Sequence, residues 1–353
     1  MHRSKILLLL MTLITLLIMS ACSESATQEN ELDAEGTDAV NQETAIEESG
    51  DEIVLRLGHG TATNSLYHAG SEKFKELVEE QSDGQIRVEL FPDGQLGHDN
   101  DLTEGMNLGT IEMGMIGVEP LTTLEPKLKA VNLPFLFTDR ETTYSVLDGE
   151  MGQEMVESLP SNHGVRVLGF FENGFRHISN SKGEIHTPED LKGLAIRTPE
   201  SAVSLAIFRA LGANPTPMSF GELYTGLEQG TVDGQENPAA LIYTAKLFEV
   251  QDYVSLTGHM YSPMVLAISE RKWSSLSTEI QEIIQQAADQ AKDYERKLSA
   301  EQEADYIEKL KEEGVTVTEP DLDAFIEATK SVHEEFDPEY GAEFYQRLLE
   351  ATR

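Results

Sequence analysis

The chain of 353 residues and 39.1 kDa is 39% hydrophobic and 25% charged, which is enough apolar material for two lobes of roughly 100–150 residues. Its 63 acidic and 26 basic residues give a formal charge of −37. A field of that sign repels nucleic-acid phosphates and anionic lipid heads, so any membrane attachment has to be covalent or hydrophobic. A single cysteine excludes an internal disulfide framework and a CxxC-type zinc site.

Residues 1–20 open with Arg3 and Lys5 and continue into an uncharged run over 6–19, broken only by Thr12 and Thr15. At about 1.5 Å per residue the run spans about 21 Å, too short for a ~30 Å hydrocarbon core, and it reads as a secretory signal. Ile18-Met19-Ser20-Ala21-Cys22 resembles the end of a bacterial lipoprotein signal, which implies a leader over 1–21 and lipidation of Cys22. Residues 23–52 hold eleven acids, no Lys or Arg and no aromatic, the composition of a disordered tether; with Cys22 this makes a 22–52 segment.

The folded part begins with a buried strand at Ile53-Val54-Leu55-Arg56-Leu57, and Phe74, Leu77 and Val78 follow at helical spacing. Ile86-Arg87-Val88-Glu89-Leu90 alternates as a strand with one wet face, and Pro92-Asp93-Gly94 makes a turn. Leu102 and Met106 predict a short helix, and residues 111–116 a strand. This β-α-β-α-β rhythm predicts a mostly parallel sheet flanked by helices. A second set starts with strands at Val165-Arg166-Val167-Leu168 and Phe175-Arg176-His177-Ile178. Thr187-Pro188-Glu189-Asp190 reads as a helix start, 194–197 as a strand, 202–211 as a helix stopped by Gly212, and Ser219-Phe220-Gly221-Glu222 as a capping box. No Gly or Pro interrupts 277–313, so a helix of about 55 Å is expected to lie across both lobes.

Catalytic and cofactor motifs are missing. Gly58-His59-Gly60 follows a strand, but Thr63 stands where the third glycine of a dinucleotide fingerprint belongs. There is no phosphate-binding G-x-x-x-x-G-K-[ST] and no G-x-S-x-G elbow, and the nine histidines form no H-x-H or H-E-x-x-H pair.

Several segments in order resemble the solute-binding proteins of tripartite ATP-independent periplasmic (TRAP) transporters, the DctP family. They are Leu57-Gly58-His59, Phe91-Pro92-Asp93-Gly94-Gln95-Leu96-Gly97, Leu133-Pro134-Phe135-Leu136-Phe137, Asn173-Gly174-Phe175-Arg176, the run from Thr187 to Arg197, Leu211-Gly212-Ala213-Asn214-Pro215-Thr216-Pro217-Met218 and Val232-Asp233-Gly234-Gln235-Glu236-Asn237-Pro238. The resemblance implies an α/β, two-lobed periplasmic-binding-protein-like fold with a hinge. Lobe 1 would hold 53–174 plus about 262–300, and lobe 2 would hold 175–261 plus about 301–353. It further implies that Arg197 makes the main paired contact with a ligand carboxylate, assisted by Arg176 and Asn237. Phe220 would supply an apolar wall, Glu119 and Glu200 would accept hydroxyl hydrogen bonds, and His59 would belong to the ligand site.

The chemistry of the residues agrees. A guanidinium meets a carboxylate in two parallel bonds, and in so acidic a chain an anion needs a concentrated local positive site. The expected function is capture of a small organic acid anion outside the cytoplasm, with a sugar acid (uronate or aldonate) favoured and a C4-dicarboxylate next. Delivery would be to the membrane permease subunits of a TRAP transporter. The protein is expected to be a monomer without metal or cofactor, anchored to the outer face of the cell membrane only through lipid. The substrate-binding protein of an ABC importer and a secreted enzyme acting on acidic sugars are the alternatives.

Overall fold

The computed structural model describes residues 52–352; the leader, Cys22 and nearly all of the acidic tether read from the sequence lie outside them. Strand β1 (Ile53–Gly58) leads through α1 (Leu66–Gln81) to β2 (Ile86–Phe91), and α2 (Asp99–Leu108) leads to β3 (Met113–Gly117). β1 lies parallel between β2 and β3, as the alternating pattern predicts, with Leu55, Leu57, Ile86, Val88 and Met113 fully buried. Two 3-10 turns (Glu119–Thr123 and Pro126–Asn132) and helices α3 (Arg140–Asp148), α4 (Glu150–Val156) and α5 (Leu159–His163) follow.

The predicted strand pair near 165 and 175 is one strand, β4 (Val165–Asn180). Two glycines, Gly169 and Gly174, lie within it. In the structure they sit beside irregularities of register, and Gly174 takes φ +117°, so the strand bends and continues. The Thr187 cap likewise opens only a four-residue 3-10 turn (Pro188–Leu191), because Gly193 at φ +79° turns the chain at once. Then come β5 (Ala195–Thr198), α6 (Ala202–Ala210), β6 (Asn214–Pro217), α7 (Phe220–Glu228), β7 (Gly234–Asn237) and α8 (Ala239–Thr244). A second long strand, β8 (Tyr253–Ser269), precedes α9 (Glu270–Trp273), α10 (Thr278–Glu312), β9 (Thr316–Thr318), α11 (Leu322–Tyr340) and α12 (Ala342–Ala351).

All strands join one sheet in the order β2-β1-β3-β8-β4-β7-β5-β6, with β9 on the far end of β8. Among the described residues five of its eight strand pairings are parallel, as expected from the sequence, but β3–β8, β8–β4 and β4–β7 are antiparallel. The reason is topological: β4 carries the chain from one half to the other and β8 brings it back, so the two run in opposite directions. Helix α10, capped by the Ser277 hydroxyl on the Ile280 N–H, is 35 residues or about 52 Å long. It packs on α1 in the first half and on α8 and β9 in the second, as its uninterrupted sequence predicts.

Gly234, paired with Asn180 and Ile196, leaves no room for a side chain: an added Cβ would stand 2.3 Å from the Ser179 carbonyl oxygen. Gly234→Ala is therefore expected to lose about 1–3 kcal/mol of stability, read as a lower urea midpoint with unchanged slope.

Candidate functional site

Strands β4, β5 and β7 bring together residues that are far apart in the chain. Arg176 on β4 is buried beside Glu236 and Asn237 on β7; its Nε donates to the Glu236 carboxylate, and its Nη2 donates to Glu236 Oε1 and Asn237 Oδ1, both at 2.9 Å. Burial works against the charge on Arg176, but Glu236 outweighs it and lifts the guanidinium above its usual range. Burial likewise pushes the Glu236 carboxyl up, and Arg176 more than reverses that, holding it below the usual carboxylate range. His259 Nε2 stands 3.4 Å from Glu236, and Asn237 Nδ2 donates to Gln235 Oε1 at 2.5 Å.

Arg197 on β5 is 3% exposed and differently placed. Its Nε donates to the Met218 carbonyl at 2.9 Å, while neither Nη group has a hydrogen-bond partner among the described residues. Burial, and then the neighbouring charge of Arg176, push its pKa down to about 10, so it stays charged at neutral pH. A buried cation without a bonded counter-ion is costly, and an anion arriving at those two Nη groups relieves the cost.

Both arginines face a cleft with an outer chamber of about 300 Å³ and an inner end of about 40 Å³. Asp99, Glu119, Arg197, Pro199 and Phe220 line both parts, and Glu200 lines the outer chamber. Arg176, Asn237, Asn173, Tyr67 and Thr61 close the inner end. Six of the seven ligand residues expected from the sequence thus meet at one cleft. Glu119 is buried and accepts from Ser262 Oγ at 2.8 Å, whereas Glu200 is exposed and accepts from Asn100 Nδ2, tying the loop after β5 to α2.

His59 is the exception. Its ring is fully buried behind the wall, with Nδ1 against Thr61 Oγ1 at 3.1 Å and Nε2 against His68 Nδ1 at 2.9 Å, so it corrects the expectation of direct contact. Burial first, and then His68, push its pKa down to about 4.

Sequence reasoning missed Asp99, Tyr67, Thr61 and Asn173. Asp99 opens α2, where an acid is ordinary, and among so many acids nothing marks it. Its carboxylate accepts the Gly117 N–H at 3.0 Å, and loss of hydration pushes its pKa up to about 7 against that bond, with Glu119 adding to the rise. Because the folded-state pKa lies above the ordinary 3.8, this group's contribution to stability is full below about pH 4 and is lost as pH rises towards 7. Asp99→Asn is expected to melt like the parent at pH 4 and above it at pH 8; equal melting temperatures at both values would overturn the assignment.

A family model described as bacterial extracellular solute-binding protein, family 7 (DctP), matches residues 57–339. The chain belongs to this family. The 2,3-diketo-L-gulonate-binding periplasmic protein YiaO of Escherichia coli is 42% identical over 275 residues, covering 78% of this chain and 84% of that protein. A TRAP periplasmic solute-binding protein from Polaromonas bound to D-erythronate superposes with a TM-score of 0.82 at 37% identity, covering 84% of this chain and 98% of the other. The sugar-acid-binding protein DctPAm of Advenella mimigardefordensis, in complex with galactonate, gives 0.82 at 36% identity, covering 85% and 97%. The chain is thus a TRAP-type solute-binding protein with the two-lobed α/β fold, of an extracytoplasmic family. Among the described residues no helix is long and apolar enough to cross a membrane.

Proposed function

We propose that this protein captures a monoanionic sugar acid and presents it to the permease of a TRAP transporter, and that Arg197 holds the ligand carboxylate. The observation that carries the reading is the buried Arg197 guanidinium, neither of whose Nη groups has a hydrogen-bond partner among the described residues. Arg176 is already matched by Glu236, so its role is to shape the inner end together with Asn237 and add to the local field. Asp99, Glu119 and Glu200 on the walls favour hydroxyl groups on the rest of the ligand, and Glu119 and Glu200 disfavour a second carboxylate. Phe220 gives those carbons an apolar face. Galactonate and D-erythronate, the ligands of two similar structures, are monoacids of this kind.

The ligand is bound and released unchanged, by hinged closure of lobes divided as 53–174 plus about 262–300 and 175–261 plus about 301–353, with β4 and β8 as the connection. The protein acts as a monomer held to the outer face of the cell membrane by lipid on Cys22, with 23–52 as its spacer.

Thermal-shift and calorimetric titration of the full chain, freed of bound ligand, with aldonates, uronates, C4-dicarboxylates and neutral sugars tests the reading. A sugar acid at ~100 Kd is expected to add about 2.7 kcal/mol of stability. Two charge-assisted bonds at about 1.5–3 kcal/mol each predict a loss of about 10²–10⁴-fold in affinity for Arg197→Ala. Stabilisation by neutral sugars, or full affinity in the variant, would sink the proposal.

A further inference from the structure

His59 is left without a role by direct ligand contact, yet the structure builds a chain of hydrogen bonds on it. The Thr61 backbone N–H points at His59 Nδ1 at 3.4 Å, which marks Nδ1 as the unprotonated nitrogen. His59 then carries its proton on Nε2 and donates it to His68 Nδ1 at 2.9 Å, and the remaining His68 Nε2–H faces Glu72 Oε1 at 3.4 Å on the next turn of α1. Thr61 Oγ1 lies 3.1 Å from His59 Nδ1, and its single proton goes either to that nitrogen or to Ser65 Oγ. In the first of these arrangements, the one on which the proposal rests, the Thr61 oxygen is left to accept, once from the Ser65 hydroxyl at 2.8 Å and once more through the lone pair that remains. Thr61 lines the inner end of the cleft, together with Arg176, Arg197 and Asn237. The glycines on either side of His59 have a physical reason as well: a Cβ on Gly58 would stand 2.7 Å from the Leu102 side chain, and one on Gly60 would stand 2.7 Å from His98 Nδ1.

We propose that His59 is a positioning residue, which with His68 and Glu72 fixes the Thr61 hydroxyl as an acceptor-only group beside the carboxylate site, so that the cleft selects acids with a hydroxyl donor on the carbon next to the carboxylate. The inference rests on the sugar-acid reading above and narrows it to 2-hydroxy acids. Burial of His59, which holds its pKa at about 4, keeps the ring uncharged at neutral pH.

The test compares D-galactonate with its 2-deoxy counterpart by calorimetry at pH 7.5, on the full-length parent, Thr61→Val, His59→Leu and the double variant, with melting temperatures recorded for each. The parent is expected to prefer the 2-hydroxy acid at least tenfold. Thr61→Val, which keeps the side-chain shape, is expected to erase that preference while leaving the 2-deoxy acid's affinity within about twofold. The double variant is expected to bind like Thr61→Val alone, because the two residues act through one hydroxyl. His59→Asn, whose amide oxygen can replace Nδ1 but cannot reach His68, is expected to restore the preference lost in His59→Leu even where it melts lower than the parent. Equal affinity of the parent for the two acids, equal weakening of both by Thr61→Val, or additive losses in the double variant would overturn the inference while leaving sugar-acid binding intact. Failure of the parent to bind either acid, or any member of the acid panel, would instead overturn the function from which the inference starts.

Discussion

Two guanidinium groups buried side by side repel each other, and the middle of this molecule is arranged around that repulsion. Arg176 is neutralised at close range by Glu236, which is itself fully buried and backed by His259. Arg197 has, among the described residues, a single bond to a backbone carbonyl, so it is a buried guanidinium with no carboxylate bonded to it inside a protein of formal charge −37. Neutralising both arginines would leave an acidic pocket with no pull on an anion, and neutralising neither would leave two buried charges in conflict. The arrangement found keeps the fold stable and the site attractive.

The sheet makes this possible. β4 presents Arg176, and β7, hydrogen-bonded to the same end of β4, presents Glu236 and Asn237. β5 then sets Arg197 in register with Gln235 of β7, so each of these contacts is fixed by a backbone ladder rather than by loop geometry. The side facing the arginines comes from elsewhere: Asp99 opens α2, Glu119 follows β3, and Thr61 stands in the β1–α1 connection. The two halves communicate along β4 and β8, whose shared register shifts between Glu172 and Gly174 and between Arg176 and Ile178 lie close to the arginine. A bend stored in the strands that carry the binding residue is a direct way to couple ligand capture to lobe closure.

On the sugar-acid reading proposed above, the acids on the walls shape selectivity by exclusion as well as by attraction. A second ligand carboxylate would meet Glu119 or Glu200, whereas hydroxyl groups give each of them a donor. Asp99 responds to its surroundings by favouring its protonated form towards neutral pH, which lets this wall group donate as well as accept. In the proposed arrangement the Thr61 hydroxyl, aimed by His59, adds a fixed acceptor at the other end. Recognition of this kind reads the pattern of donors along an acid, where the arginine alone would read only its charge.

The sequence by itself determined the family, the positions of both arginines and Asn237, the first β-α-β-α-β unit and the long helix, because each is written in local patterns: alternation, caps, an unbroken helical run and ordered motifs. It did not reveal that 165–180 is a single strand, since a glycine that bends a strand and one that ends it look alike without a partner strand. It could not mark Asp99 among 63 acids, nor distinguish a histidine in the cleft from one behind its wall. Those outcomes depend on which distant segments meet: Asp99 becomes a site residue only because α2 begins opposite β5, and His59 a supporting one only because α1 brings His68 against it. Tertiary structure also decided how the two arginines differ, through the registers of β4, β5 and β7, which among the described residues place a carboxylate on Arg176 and a carbonyl on Arg197.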